Sequence, residues 1–350
     1  MKYKSLYLLS FLIFALATGC KKVDATEPTD ESTGTTGGID VYATGSNAWN
    51  SFGYWKNGAF VSLTTMHTVF DDIVVNGKDV YVCGAVSGNI GCACYWKNGA
   101  LTVLHDGKQY TEAMGIAFLG KDIYIAGYIL TDPRGVGRTA CYWKNGTRTI
   151  LPGKGEYTDA RGIAVKGNDI YICGSYTSAG RNFSCYWKNG ELFTLAGEVN
   201  HSAAIRIAIY GDDIYITGFI NATGRESHNV SAYWKNGILQ TLPQAVATSV
   251  ASDIAIGDNG DVHIVEDNSD YTLARGLYWK NGIKTTEEIK AQSSSIAVSG
   301  TDVYVGGSLW IVDDPNNKKR IPAYWKNGEI VKLNESVSSN VGAMAVVTRN

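Results

Sequence analysis

The feature that most constrains this chain is a pentapeptide, Tyr-Trp-Lys-Asn-Gly, which occurs seven times without a single change. Internal repetition at a period of roughly 20–50 residues is typical of solenoids and propellers, in which each repeat is one supersecondary unit. The chain is therefore predicted to fold as seven similar units. The tryptophans of the seven copies lie 41 to 47 residues apart, at Trp55, Trp96, Trp143, Trp187, Trp234, Trp279 and Trp325.

Two further segments keep the same period. One is of the type DIYICG, from Asp169, and is clearly degenerate only in the sixth repeat, where it reads DVHIVE from Asp261. The other, of the type GIAVKG from Gly162, precedes it. Because these segments are rich in Ile, Val, Tyr and Trp and are punctuated by Gly, each repeat reads as four short strands, A to D. Four antiparallel strands in about 45 residues are typical of a β-propeller blade.

The two ends of the repeat region complement each other. The first repeat begins with DVYATG from Asp40 and has no strand A, while the chain ends with GAMAVVTRN from Gly342, a strand A with no strand B after it. If residues 343–348 form the inner strand of the first blade, the ring closes without a free edge. A linear array would instead need two polar caps. The sequence predicts an all-β fold over residues 38–350, a seven-bladed β-propeller of four-stranded antiparallel blades.

The repeated pentapeptide is interpreted as a structural part rather than a ligand site. Asn-Gly favours a two-residue type I′ turn, so each copy is predicted to form the hairpin between strands C and D. Its Tyr and Trp then point to opposite faces of strand C and pack between blades. The Asp that opens each strand B is expected to cap its own turn. These aspartates lie in separate blades and do not converge, so neither a metal site nor any other cofactor is predicted.

The N-terminal segment is predicted to be a targeting and anchoring region. Residues 1–19 have the basic start, apolar run and small-residue end of a signal peptide. Residues 17–20, Ala-Thr-Gly-Cys, resemble a bacterial lipobox, which implies cleavage before Cys20 and lipidation of that cysteine. Residues 20–37 read as a flexible tether, and Lys21 implies, by the same resemblance, an anchor in the outer membrane. The alternative is an ordinary signal peptide with an incidental cysteine.

The net charge argues against a nucleic-acid partner. The chain carries 31 Lys and Arg against 33 Asp and Glu, a net charge of −2 that becomes −4 when Lys2 and Lys4 leave with the signal peptide. Nucleic-acid binding requires a basic patch. No basic block remains in the predicted propeller.

Functional residues are expected on the face that carries the long, variable B–C and D–A loops, because binding sites concentrate on variable loops of a rigid scaffold. Two tryptophans outside the motif, Trp49 and Trp310, lie in the predicted B–C loops of the first and seventh blades, which adjoin once the ring closes. Adjacent indoles can stack on a sugar ring. The alternative is that each indole packs on its own blade.

A second group of candidates lies where strand A begins. These charged residues break the repeat pattern and are predicted to point toward the mouth of the central channel: Asp71, Asp72, Arg161, Arg206 and Asp253. Charged or titratable neighbours come from the same D–A loops, at His67, His105, Glu112, Asp159 and His201. Mixed charges of this kind can bind a polar ligand or perform acid–base chemistry. The alternative is a solvated rim.

Four cysteines occupy matched positions in the repeats. Cys83 and Cys173 end strand B, and Cys94 and Cys185 open strand C of the same blades. Two interpretations stay open, disulfides Cys83–Cys94 and Cys173–Cys185 formed after export, or buried thiols.

The repeat resembles extracellular HAF-type repeats, which share a Trp-x-x-Gly hairpin followed by a leucine, as at Trp143, Gly146 and Leu151. It is also similar to kelch blades, through Gly306-Gly307 in the seventh blade. The resemblance implies a propeller and carries over no catalytic residue. The sialidase Asp-box and the Trp-Asp dipeptide signature are missing.

These observations favour a cell-envelope lipoprotein, anchored in the membrane by lipid, whose propeller is a binding or interaction module for a glycan, a peptide or a partner protein. One alternative is a polysaccharide lyase or hydrolase with its site at the channel mouth. Another is a structural subunit of an outer-membrane complex. Binding without catalysis is the favoured interpretation, although a fold alone does not choose among these functions.

Overall fold

The computed structural model describes residues 38–48, 50–87, 91–104, 107–132, 137–195, 201–221, 229–242, 249–268, 276–285, 291–311, 319–335 and 338–349. Over these ranges the chain forms seven four-stranded antiparallel sheets and no helix, so it is the seven-bladed β-propeller that the repeats predict. Within the same ranges no helix is long and apolar enough to cross a membrane. Cys20, Trp49 and His105 lie outside the described residues.

The strands are short and rich in β-branched and aromatic residues, which suit a pleated surface buried on both faces. Blades 2 to 7 each take four consecutive strands, and blade 1 takes the last strand and the first three. In chain order the strands are β1 (Ile39–Ala48), β2 (Ser51–Lys56), β3 (Ala59–Thr64), β4 (Thr68–Asn76), β5 (Asp79–Val86), β6 (Cys92–Lys97), β7 (Ala100–Val103), β8 (Thr111–Leu119), β9 (Asp122–Leu130), β10 (Arg138–Lys144), β11 (Thr147–Ile150), β12 (Tyr157–Lys166), β13 (Asp169–Ser178), β14 (Arg181–Lys188), β15 (Glu191–Thr194), β16 (His201–Tyr210), β17 (Asp213–Asn221), β18 (Val230–Lys235), β19 (Ile238–Thr241), β20 (Ser249–Ile256), β21 (Val262–Asn268), β22 (Leu277–Lys280), β23 (Ile283–Lys284), β24 (Ala291–Ser299), β25 (Asp302–Ile311), β26 (Lys319–Lys326), β27 (Glu329–Lys332) and β28 (Met344–Thr348).

The ring closes through the C-terminal strand, as predicted. β28 pairs antiparallel with β1, from Ile39 opposite Thr348 to Ala43 opposite Met344. Beyond the paired residues, the Thr44 amide donates to the carbonyl oxygen of Ala343 at 2.9 Å. Blade 1 is therefore completed by a segment about 300 positions away in sequence, which pairs the edge of β1 that would otherwise be free.

The core is divided into seven apolar clusters, one between each pair of adjacent blades. The motif Trp and Tyr point to opposite sides of strand C. In blade 2, Trp96 packs against Tyr42 and Tyr54 of blade 1, while Tyr95 packs toward Ile116 of blade 3. All seven motif tryptophans are no more than 3% exposed. Each therefore buries roughly 150–250 Å² in an equivalent blade interface.

The Asn-Gly of every motif forms the predicted type I′ turn. The seven asparagines have φ between 48° and 52°, and the seven following glycines have φ between 74° and 87°. Both central residues of this turn need positive φ, which few residues other than Asn and Gly adopt at low cost. The turn residues are therefore fixed by backbone geometry.

The Asp that opens strand B has a different partner from the one expected. In all seven blades its carboxylate accepts a hydrogen bond from the side chain of the turn Asn, at 2.7–2.8 Å. The Asn oxygen in turn accepts the next strand-B amide, as Asn189 does from Ile170 at 2.9 Å. The motif lysine also pairs with this carboxylate, as Lys188 does with Asp169 at 2.8 Å. The conserved Asp–Asn–Lys contact, called here the blade clasp, ties strand B to the C–D turn.

The inner strands of blades 2 to 7 share a second irregularity, a β-bulge. The pairing of strands A and B shifts between Phe70 and Asp72 in blade 2, and at the matching position of the other five blades. Next to the bulge, the backbone of strand A lies close to a strand-B glycine, and a Cβ at Gly84 would lie 2.0 Å from the carbonyl oxygen of Val69. The glycine that ends the DIYICG segment is therefore required for close backbone approach.

The four register-matched cysteines are free, buried thiols in this structure. Cys83 and Cys94 lie on neighbouring strands but are offset by one residue in the pairing. Such an offset places two side chains on opposite faces of the sheet. Cys83 accordingly packs toward blade 3 and Cys94 toward blade 1, and Cys173 and Cys185 have the same offset in blade 4. Of the two interpretations that the sequence leaves open, disulfides and buried thiols, this arrangement favours buried thiols.

Candidate functional site

The two ends of the propeller differ in chemistry. One end carries the short turns with their repeated blade clasps, and the other, called here the variable face, carries the long B–C and D–A loops. Trp310 was expected in a loop of this face, but it lies within β25, where its backbone is opposite Arg320 of β26. Trp49 lies outside the described residues, so the pairing of the two indoles stays a prediction.

A cavity of about 220 Å³ lies on the propeller axis, between the inner strands. It is formed by apolar side chains and by a set of residues that immediately follow the bulges, called here the inner ring. Three of the sequence candidates belong to this ring, and they are its charged members. The inner ring consists of Asp72, Gly162, Arg206, Asp253, Ser295 and, at the matching position of blade 1, which has no bulge, Ala343.

Asp72 and Asp253 make equivalent bonds from different blades. One carboxylate oxygen of Asp72 accepts the amide of Ile73 at 2.9 Å, and the other accepts the amide of Ile116, in the next blade, at 3.0 Å. Asp253 accepts the corresponding amide of Ile296 at 2.9 Å. Burial raises the pKa of Asp72 to about 6, against the opposing effects of Arg206 and the amide donors. Both carboxylates therefore join neighbouring blades.

Arg206 bridges the cavity. Its Nη2 donates to the carbonyl oxygen of Asp71, three blades away, at 2.8 Å, and its Nε lies 4.0 Å from Asp253 Oδ1. Burial alone would lower the pKa of Arg206, but Asp253, Asp72 and Asp71 raise it above its ordinary value. The cation therefore offsets part of the negative charge of the inner-ring carboxylates and connects blades 5, 2 and 6.

Asp71 is the bulged residue of blade 2, and its environment differs from that of Asp72. Its Oδ2 is buried and accepts no hydrogen bond from the described residues. Burial, reinforced by the charge of Glu112, raises the pKa of Asp71 to about 7, although Arg206 opposes the shift. Glu112 itself accepts hydrogen bonds from the hydroxyls of Tyr110 and Tyr128. The buried carboxyl group of Asp71 therefore differs from that of Asp72 both in its missing hydrogen-bond partner and in its higher pKa.

Arg161 points away from the inner ring into a separate cleft of about 200 Å³ on the variable face, called here the Asp159 cleft. Asp159 is 8% exposed. Its Oδ1 accepts from the amide and hydroxyl of Ser175, at 2.9 and 2.6 Å, and its Oδ2 accepts from Arg161 Nη2 at 2.9 Å. Burial alone would raise the pKa of Asp159, but Arg161 and the Ser175 hydroxyl hold it below its ordinary value. The carboxylate thereby fixes the Arg161 guanidinium.

The Asp159 cleft also receives a cation from blade 3, which sequence reasoning did not single out. Arg138 begins β10, and its Nη1 lies 3.8 Å from Asp159 Oδ2. Its guanidinium carbon lies 4.6 Å from the centroid of the Tyr128 ring. The only sequence signal for Arg138 is its place in a long B–C loop. The remaining described walls of the cleft are Tyr157, Thr158, Ser175, Thr177, Asn182, Ala203 and Phe219.

A third cavity, of about 330 Å³, lies between blades 1 and 2 at the closure of the ring. Phe52 and His67 meet edge to face there with ring centroids 5.3 Å apart. His67 Nδ1 lies 3.3 Å from the Ser87 hydroxyl. The cavity is otherwise lined by small polar and apolar groups, including Ser339 and Asn340, and carries no ionised carboxylate among its described residues.

The remaining loop candidates are dispersed. His201 Nδ1 accepts the amide of Asn182 at 3.3 Å, beside the Asp159 cleft. No group of three or more His, Cys, Asp and Glu residues in the described part of the chain is placed to hold a metal ion.

Comparison with known proteins does not identify a family. No family model matches the chain, and no curated protein matches it. Among solved structures it is similar to the extracellular domain assigned to a hybrid two-component system of B. thetaiotaomicron, with a TM-score of 0.44 at 13% sequence identity. The similarity covers 73% of this chain and 33% of that one, so the chain spans about a third of the length of that structure.

Proposed function

We propose that this protein is a cell-envelope lipoprotein whose propeller binds a glycan in the Asp159 cleft. The observation that carries the proposal is the composition of this cleft, in which two partly buried aromatic side chains, Tyr157 and Phe219, stand beside fixed guanidinium and amide groups. Apolar walls with a few well-placed polar groups are typical of ligand sites. Aromatic rings can pack on the C–H face of a sugar, while the polar groups bind its hydroxyls.

The cleft is organised before a ligand arrives. Asp159 is held by Ser175 and holds Arg161, so the guanidinium needs no reorientation on binding. Preorganisation lowers the entropic cost of binding. At about 200 Å³ the cleft lies below the roughly 300–1,000 Å³ of sites for drug-sized ligands, which suits a single sugar unit of a longer chain.

The envelope location rests on the N-terminal sequence. Residues 17–20 resemble a lipobox, and residues 20–37 are polar and free of aromatic side chains. In this proposal Cys20 carries the lipid, and the tether holds the propeller away from the outer membrane. Radiolabelled fatty acid incorporated by the wild type and not by Cys20→Ala supports the anchor, whereas equal labelling contradicts it.

The glycan proposal is tested by array binding of the purified protein beside three variants. Tyr157→Ala removes an aromatic wall of the Asp159 cleft, and Tyr210→Ala is a matched control at the opposite end of the propeller. Binding that is lost only in Tyr157→Ala, with circular dichroism unchanged, supports the site. If only the Trp49→Ala/Trp310→Ala double variant loses binding, the glycan site lies on blades 1 and 7 and not in the Asp159 cleft. Absence of binding to every glycan contradicts the proposal.

A second candidate function is polysaccharide cleavage at the channel mouth. It is favoured by Asp71, whose pKa of about 7 suits a general acid or base at neutral pH. Glycans bound on the array are incubated with the protein, and new reducing ends and unsaturated products are measured. Release by the wild type but not by Asp71→Asn supports an enzyme, and no release supports binding without catalysis.

A further inference from the structure

We infer that the Asp159 cleft selects a sugar unit that carries a carboxylate, so that the ligand is a uronate-containing glycan. The inference rests on the proposed function and specifies its ligand class. It is carried by the charge and hydrogen-bonding state of the groups in the cleft.

The cleft is positively charged in a chain of net charge −2. Its described walls include two guanidinium groups, Arg138 and Arg161, and a single carboxylate, Asp159. That carboxylate is only 8% exposed and accepts hydrogen bonds on both oxygens, from Ser175 and from Arg161. One carboxylate therefore faces two guanidinium groups, and the described walls of the cleft carry one positive charge in excess.

Arg138 is available to a ligand. Its side chain is 43% exposed, its nearest carboxylate oxygen is 3.8 Å away, and its guanidinium donates no hydrogen bond to the described residues. The guanidinium is nevertheless held in place, because it lies over the ring of Tyr128, whose hydroxyl is bound by Glu112. A guanidinium stacked on an aromatic ring keeps its planar fork of donors free, and this fork matches a carboxylate in a bidentate arrangement.

The groups around Arg138 suit a sugar acid rather than a small inorganic anion. The Asn182 Oδ1 accepts the Thr177 hydroxyl at 2.6 Å, which leaves the Asn182 Nδ2 as a donor at the exposed rim. Tyr157 and Phe219 supply apolar surface in the same cleft. A phosphate or sulfate ion would use the cation but would leave the aromatic walls and the amide without a partner.

The test compares matched acidic and neutral ligands by isothermal titration calorimetry. The probes are galacturonate, glucuronate and mannuronate oligomers, their fully methyl-esterified counterparts, and neutral galactan and glucan oligomers. The protein variants are Arg138→Gln and, as control, Arg181→Gln, which removes an exposed arginine of β14 outside the cleft lining. Both variants change an exposed side chain, and circular dichroism checks the fold of each.

We expect at least one acidic oligomer to bind, and its methyl ester to bind roughly 10-fold to 100-fold more weakly, because one charge-assisted pair is lost. Arg138→Gln should weaken binding of the acid by a similar factor and leave binding of the ester unchanged. Arg181→Gln should leave both unchanged.

Equal affinity for acid and ester, or no effect of Arg138→Gln, overturns the inference. Competition by inorganic phosphate or sulfate at the concentration of the uronate also overturns it, because the site then takes any anion. Binding of the neutral oligomers alone overturns this inference but keeps the proposed function. Absence of binding by every probe overturns both.

Discussion

At the scale of single residues, the asparagine of the repeated pentapeptide contributes most to each hairpin. Asn189 has φ of 52°, its Nδ2 donates to Asp169 at 2.8 Å, and its Oδ1 accepts the Ile170 amide at 2.9 Å. The lysine beside it pairs with the same carboxylate, but exposed ion pairs contribute little. The asparagine therefore has two roles: it adopts the positive φ of the turn, and its side chain makes the hydrogen bonds of the blade clasp.

We expect Asn189→Ala to lower the free energy of unfolding by about 2–3 kcal/mol, because it loses two hydrogen bonds and places Cβ at positive φ. Asn189→Gly keeps the backbone conformation and should cost about half as much. Urea denaturation followed by tryptophan fluorescence measures both. If the two variants are equally stable, a Cβ at positive φ costs nothing at this turn, and the backbone part of the prediction is wrong.

The raised pKa of Asp71 predicts that the stability of the protein depends on pH. Its pKa is raised to about 7 in the folded protein from an ordinary value of 3.8. Between these values the folded state holds a proton that the unfolded state has released, so the stabilising contribution of Asp71 is full below pH 4 and is lost as the pH rises to 7.

Asp71→Asn removes this titration. Near pH 4 the free energy of unfolding of the variant should differ from that of the wild type by a constant offset only. By pH 8 it should have risen, relative to the wild type, by on the order of 2–4 kcal/mol. Chemical denaturation at each pH measures the difference. A difference that does not change between pH 4 and pH 8 would mean that Asp71 titrates normally.

At the scale of strands, the one-residue register between strands B and C decides the state of the cysteines. Burial raises the pKa of the Cys173 thiol to about 12, so little reactive thiolate forms at neutral pH. We expect all six propeller cysteines to react with a thiol reagent when the unreduced protein is denatured, and to react slowly in the native protein. Two disulfides would leave only two reactive thiols. The six are Cys83, Cys92, Cys94, Cys141, Cys173 and Cys185.

The elements that recur in sequence were predictable, and those that depend on pairing across strands were not. The Asn-Gly turn type and the closing strand follow from local propensity and from counting strands. The blade clasp does not, because spacing alone does not show that Asp169 lies beside Asn189. The bulge at Asp71 is likewise invisible until strands A and B are paired. Cys83 and Cys94 appear adjacent in a strand diagram, yet an offset of one residue reverses the face.

The residues of the candidate site likewise fall into those that could be recognised from the sequence and those that could not. Asp72, Arg206 and Asp253 were recognisable because they break a repeat pattern, and all three line the axial cavity. Arg161 was recognisable for the same reason, but its guanidinium turns toward Asp159. Arg138 was not recognisable from the sequence, because it reaches the cleft from another blade, and a single sequence does not show contacts between distant segments.

At the scale of the whole molecule, stability depends on closure of the ring. Residues after Gly342 supply β28, whose loss would expose the edge of β1 and the apolar cluster between blades 7 and 1. We expect truncation after Gly342 to abolish cooperative unfolding and to cause aggregation, as seen by differential scanning calorimetry and light scattering. Removal of Asn350 alone is the control, because it keeps the Arg349 side chain on Asp40. Two-state melting of the shorter protein at an unchanged temperature would show that closure is dispensable.

At the same scale, the two ends of the molecule differ in the groups that they carry. Seven near-identical blade clasps occupy one end, while the Asp159 cleft and the varied loops occupy the other. In this account the repeated end maintains the ring and the variable face binds a glycan.

Hydrogen–deuterium exchange with and without a glycan selected on the array tests this division most directly. The account predicts slower exchange in residues 157–161 and 175–182 of the Asp159 cleft on addition of the glycan, with no change in the seven Asn-Gly turns. Protection of the turns, with no protection in the cleft, would contradict it and would place binding at the repeated end.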